Sequence, residues 1–156
     1  MTPDLGREAV YAAEIAAFEG TSYEVVTALE QLIELAALII NADWWPRGPI
    51  RVVAARTDAA SSSTRQRGIR KPVVRLAAPQ MTSATLVHEF AHVLAGVGNG
   101  HRSVFRCAHV DLAGYTFGAT EASWLLDAYR SMDLALGERA WSAPPIRRAT
   151  GGPVAL

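Results

Sequence analysis

The sequence predicts an α+β fold, helices packed on a small antiparallel sheet of about three strands, and three observations lead there. Apolar residues recur at three- and four-residue steps in five stretches, the period of helices with one buried face. Two β-branched runs, 50–55 and 72–77, lie between the second and third of those stretches and have prolines at their edges. Glycines and prolines mark the junctions, which keeps the connections short.

Taken in order, residues 7–19 form the first helix, with Val10, Tyr11, Ile15 and Phe18 on one face and Gly20 ending it. Thr21 and Glu24 fit a capping box for a second helix that runs to about Ala42. Its expected inward residues are Val25, Leu29, Leu32, Ile33, Ala36 and Ile40. Trp44-Trp45-Pro46 stops it, the indoles plugging the core at the helix end. Residues 50–55 make a strand, 59–64 a weaker one of small residues, and 72–77 the last, giving an antiparallel meander. The four cations of 65–71 read as a solvated turn. Residues 83–95 form a helix that Gly96 ends, followed by a glycine-rich turn, Val97-Gly98-Asn99-Gly100. Helices follow over 103–113, broken by Gly114 to Gly118, and over 120–136, burying Trp124, Leu125, Ala128, Met132 and Leu136. The reading is one domain, 1–136, with 137–156 as a flexible tail of little periodicity.

Composition narrows the partners. The 15 basic and 15 acidic residues balance, which argues against nucleic acid or an acidic membrane as the partner. The most apolar run, 35–40, is too short to span a bilayer. The N-terminus has acids among its apolar residues and no signal-peptide core, so a cytoplasmic setting is expected. A single cysteine, Cys107, rules out an intramolecular disulfide or a cysteine-rich zinc site.

The chemistry concentrates in His88-Glu89-Phe90-Ala91-His92. Residues four apart share a helix face, so His88 and His92 present two imidazoles to one point. Glu89 starts one residue round, able to reach water at a metal without itself binding the ion. This is the H-E-x-x-H arrangement, two zinc ligands and a general base on one helix. A catalytic zinc takes a third protein ligand. His101 lies nine residues beyond His92, past a turn flexible enough to reverse the chain. Glu121, on the last helix, is the rival third ligand. His109, within a helix eight residues after His101, is expected to face solvent or cap a contact.

The run His88-Glu89-Phe90-Ala91-His92 … Gly100-His101-Arg102-Ser103-Val104-Phe105 resembles the active-site region of SprT-like and WLM-type zincin metallopeptidases. It looks most like a family of small metallohydrolases of actinobacteria and their phages, in which Val-Tyr-Ala-Ala-Glu (10–14) and Asp-Trp-Trp (43–45) also recur. The resemblance covers about residues 7–136. It implies a minimal zincin-like domain, zinc held by His88, His92 and His101, and Glu89 as general base. Arg102 stands where SprT-like proteins usually have glycine, and no cysteine-rich ribbon follows. The function expected is a zinc-dependent hydrolase, a metallopeptidase acting on a protein or peptide. A hydrolase of a non-peptide amide or ester would use the same atoms, and a non-catalytic zinc-stabilised binding protein would keep the ligands but leave Glu89 without a task. Arg102 and Tyr115 are the candidates for an oxyanion donor.

Overall fold

The computed structural model describes residue 4 and residues 6–147. Helix α1 (Arg7–Phe18) follows Gly6, which takes the left-handed φ of 95°. It buries Val10, Ala13, Ala17 and Phe18 against the last helix; the two alanines let the backbones approach. Tyr11 and Ile15, expected on the face of Val10 and Phe18, stand 38% and 57% exposed, along the rim of a cleft.

The capping residue Thr21 works as expected on a shorter element. Its Oγ1 accepts from the Tyr23 N–H at 3.3 Å and starts a single 3-10 turn, Ser22–Glu24. The chain then runs extended, and α2 (Leu29–Ile40) begins only at Leu29. Val25 and Ile33, expected inside, are 63% and 43% exposed, and the buried residues are Leu32, Ala36 and Ile39. Trp45 is buried against Phe90, and Trp44 packs edge-on to Tyr115, so the indoles do plug the core.

Strands β1 (Arg51–Ala54), β2 (Ser63–Arg65) and β3 (Val73–Leu76) form one sheet in the order β1-β3-β2. β1 runs parallel to β3 and β2 antiparallel, so the sheet is mixed; the expected antiparallel meander is corrected. Burial follows this order. Val74 and Leu76 are fully buried and suit the centre, whereas Ser63, Thr64 and Arg65 suit an edge.

Helix α3 (Ser83–Ala95) is the element on which the others converge, and most of its residues are buried. Thr82 caps it through the Thr85 N–H at 3.1 Å, and Gly96, at φ 96°, ends it. α4 (Ser103–Thr116) packs along one side of α3, and β2 and β3 approach from another. α4 passes through Gly114, expected to break it, and at that position it packs against α5, where an added Cβ would meet that of Ala122 at 3.5 Å, an ordinary contact. α5 (Ala119–Ser131) ends five residues before the expected Leu136 and leaves Trp124 40% exposed.

Residues 137–147, expected within a flexible tail, return across α4. Gly137 N–H donates to the Ser103 carbonyl at 2.8 Å. Arg139 and the buried Trp141 both donate to Asp111, and Arg147 N–H donates to the Gly114 carbonyl at 2.9 Å. The remainder of the expected tail, 148–156, lies outside the described residues. No helix among the described residues is long and apolar enough to cross a membrane.

Candidate metal centre

Helical spacing puts His88 and His92 one turn apart on α3, their ring centroids 5.2 Å apart. The turn after Gly96 reverses the chain and brings His101 over them, 5.2 Å from His88 and 4.6 Å from His92. Ligand atoms of the three lie within 4.8 Å of one another. His88 Nε2 and His101 Nε2 face each other at 3.2 Å. Ligand nitrogens around a tetrahedral zinc, at roughly 2.0–2.1 Å from the ion, sit about 3.3 Å apart, so the donor set fits such an ion.

The far side of two rings is held by carboxylates. His88 Nδ1 donates to Glu14 Oε2 at 2.9 Å, and His101 Nδ1 donates to Asp4 Oδ2 at 2.6 Å. The Asp4 carboxylate also accepts the His101 backbone N–H, at 3.0 Å through Oδ1. With a proton fixed on Nδ1, each ring turns the lone pair of Nε2 toward the other, which is the arrangement a metal ligand needs. No carboxylate among the described residues pairs with His92. Gly100, at φ 54°, lies against Asp4, where a Cβ would come within 2.7 Å of Oδ1; only glycine leaves that carboxylate in place.

The electrostatics follow burial and these pairs. Burial alone would raise Glu14, but the His88 charge and hydrogen bond hold it below the usual carboxylate range. Burial opposes a charge on His88 too, yet Glu14 wins and raises it. For Asp4, burial is outweighed by the bonds to His101, and its pKa falls. Burial, then the neighbouring imidazoles, pushes His92 down to about 2. His101 is lowered chiefly by burial.

Glu89 is almost fully buried at the base of a cleft of about 220 Å³ that Tyr11, Ile15, Glu24, Ser62, Gln80 and His88 also line. Thr64, on edge strand β2, donates to Glu89 Oε2 at 2.5 Å. Burial raises the Glu89 pKa, against the opposing pull of His88 and Thr64. A carboxylate of raised pKa, next to a polar cluster and open to a cleft, is suited to taking a proton near neutral pH.

Aromatic rings pack the cluster. Tyr11 stacks on His88 at 5.5 Å, and the buried Phe105 of α4 lies 4.5–5.3 Å from the four histidine rings. His109 is not at the surface as expected: it is fully buried, its Nδ1 2.6 Å from the Tyr129 hydroxyl. Burial presses its pKa down to about 3, so it is neutral, and raises that of Tyr129 well above 10. Glu14, His88 and His109 form a second group of possible donors, but Glu14 and His88 already bond to each other.

The rival ligand Glu121 belongs to neither group; it accepts from the Tyr23 hydroxyl at 2.8 Å. The Tyr115 hydroxyl is directed to the Leu38 carbonyl at 3.5 Å, and Arg102 is exposed. Sequence reasoning missed Asp4, Glu14 and Thr64. Glu14 carried a readable signal, an acid between Val10, Ala13, Ala17 and Phe18 along the buried side of a helix; Asp4 and Thr64 carried none. No family model, curated protein or solved structure matches the chain.

Proposed function

We propose that the chain is a zinc-dependent hydrolase, a metallopeptidase in its best-supported form, with His88, His92 and His101 as ligands and Glu89 as general base. One observation carries the reading. Two imidazoles, each with its proton tied to a carboxylate, aim Nε2 atoms at one point 3.2 Å across, beside a buried carboxyl that opens onto a cleft. Zinc bound there would supply Lewis acidity, polarising a carbonyl and bringing the pKa of water toward about 7. Glu89 accepts the proton of the attacking water and passes it to the leaving amine. Thr64 holds Oε2 and leaves Oε1 for that task. An extended peptide has a docking edge in β2, which pairs with β3 on one side only among the described residues. A zinc-stabilised binding protein would have no use for a carboxyl buried beside the ligands, so the catalytic reading is preferred.

The test pairs metal with turnover. Purified protein should hold about one zinc per chain, lose it in His101→Ala and keep it in Glu121→Ala. Glu89→Gln should keep both fold and metal, yet lose roughly 10²–10⁴ in rate on a panel of unstructured proteins and peptides. A Glu89→Gln protein as active as wild type ends the mechanism. Retention of zinc by His101→Ala with loss in Glu121→Ala replaces the third ligand.

A further inference from the structure

His109 and Tyr129 have no part in the steps above, yet both side chains are completely buried. His109 Nδ1 meets the Tyr129 hydroxyl at 2.6 Å. Its Nε2 has no hydrogen-bond partner, and Glu14 Oε1 lies 3.8 Å away. A buried polar group left in that state costs about 1–3 kcal/mol, and an apolar side chain of similar size would avoid the cost. The orphan therefore calls for an explanation.

The orientation supplies one. A lone pair on Nε2 would face an anionic oxygen and be repelled, so the proton belongs on Nε2, and Tyr129 donates to Nδ1. The tyrosine thereby sets the tautomer of His109 and holds an N–H dipole against the Glu14 oxygen that His88 does not use. The other Glu14 oxygen accepts from His88 Nδ1. One buried carboxylate thus faces imidazoles of two different helices, hydrogen-bonded to His88 of α3 and held 3.8 Å from His109 Nε2 of α4.

We propose that His109 and Tyr129 are positioning residues of the metal centre, locking the Glu14 carboxylate so that His88 presents Nε2 to the ion. This rests on the zinc reading above. His109 acts on the ion only through Glu14 and His88.

The test measures zinc affinity by chelator competition and thermal unfolding of the metal-free protein, for the full chain and three variants. His109→Leu should bind zinc about tenfold or more weakly, within the range of outer-shell losses, while its metal-free form melts close to wild type, because the variant exchanges the unpaired Nε2 for an unpaired Tyr129 hydroxyl. Tyr129→Phe, which frees the tautomer with little change of volume, should show a smaller loss in the same direction. His109→Gln keeps an N–H near the Nε2 position and should come back to within about threefold of wild type. The visible spectrum of cobalt-loaded protein should shift in His109→Leu and return toward wild type in His109→Gln. A role in packing alone predicts the reverse, a lower melting temperature with zinc affinity and cobalt spectrum unchanged, and overturns the inference. Should His109→Leu not fold, Tyr129→Phe decides: wild-type zinc affinity in that variant overturns it. Wild-type protein that binds no zinc removes the zinc reading and this inference together. Wild type that binds zinc no better than His109→Leu removes this inference alone.

Discussion

His88 and His101 carry the same device, an imidazole whose Nδ1 faces a carboxylate, in two very different settings. The His88 partner, Glu14, lies in the middle of α1 with its side chain 13% exposed and a second imidazole, that of His109, behind it. The His101 partner, Asp4, precedes α1, is 34% exposed, and depends on a loop whose glycine leaves it space. Loss of a buried partner leaves an N–H that water cannot reach, whereas loss of an exposed one lets water take over. Equal hydrogen-bond lengths would therefore hide unequal consequences. His88 is the proposed ligand set by the core, and His101 is the one set by the chain's turn.

The largest effect expected is at the buried partner. Glu14→Leu strands His88 Nδ1 and removes the charge that His109 Nε2 faces at 3.8 Å, and zinc affinity should fall toward the upper end of the roughly 10–100-fold range. Asp4→Ala should stay at or below the lower end, because water can take the place of the 34% exposed Asp4 carboxylate. Chelator competition on the two proteins side by side decides, and equal losses would end the distinction drawn between the partners.

Gly100→Ala sharpens the exposed half. The added Cβ would sit 2.7 Å from Asp4 Oδ1 on a backbone at φ 54°, so the carboxylate must move. Zinc affinity should drop about as far as in Asp4→Ala. The double variant should be no weaker binder than either single one, as expected when two changes act through one contact. Additive losses would mean that Gly100 acts by another route.

The smallest effect is in the pH dependence of the metal-free protein. Burial holds His109 at about 3 and His92 at about 2, against about 6.5 in the unfolded chain. Below pH 6.5 the unfolded state therefore takes up protons that the folded state refuses, and stability falls as pH falls through that window, by roughly 1 kcal/mol per pH unit for a group such as His109. The raised pKa of His88 works in the opposite direction, so the net slope is shallower than two histidines would give. Melting temperatures measured from pH 7 to pH 5 should decline, and His109→Leu should flatten the decline. An unchanged slope in that variant would show that His109 is already doubly protonated and charged in the folded state.

Much of the centre was legible beforehand because it is local. A helix of period 3.6 makes His88 and His92 neighbours whatever surrounds them, with Glu89 one residue round. Gly96 after the run marks its end. Helix α1, the tryptophan plug and the first and last strand runs, 50–55 and 72–77, came from equally short-range signals, whereas the strand expected at 59–64 lies at Ser63–Arg65. Errors arose where neighbours in space overrode them. Gly114 reads as a breaker, but it packs against α5 and α4 continues through it. Val25 and Ile33 fit a helical stripe, yet the chain is extended at one and the helix turns the other outward.

The sequence by itself determined the α+β class, the helix of residues 83–95 and the pair of imidazoles on it, since each depends on residues within a few turns of one another. It also offered His101 as the third imidazole, by virtue of a turn able to reverse the chain. Only the tertiary structure decided strand order, because β3, last in the chain, inserts between β1 and β2 through pairings no local pattern encodes. It alone chose the partners of the ligands, Glu14 at 74 residues from His88 and Asp4 at 97 from His101. Contacts across such separations follow from which faces the helices bury together, and spacing along the chain carries no record of that.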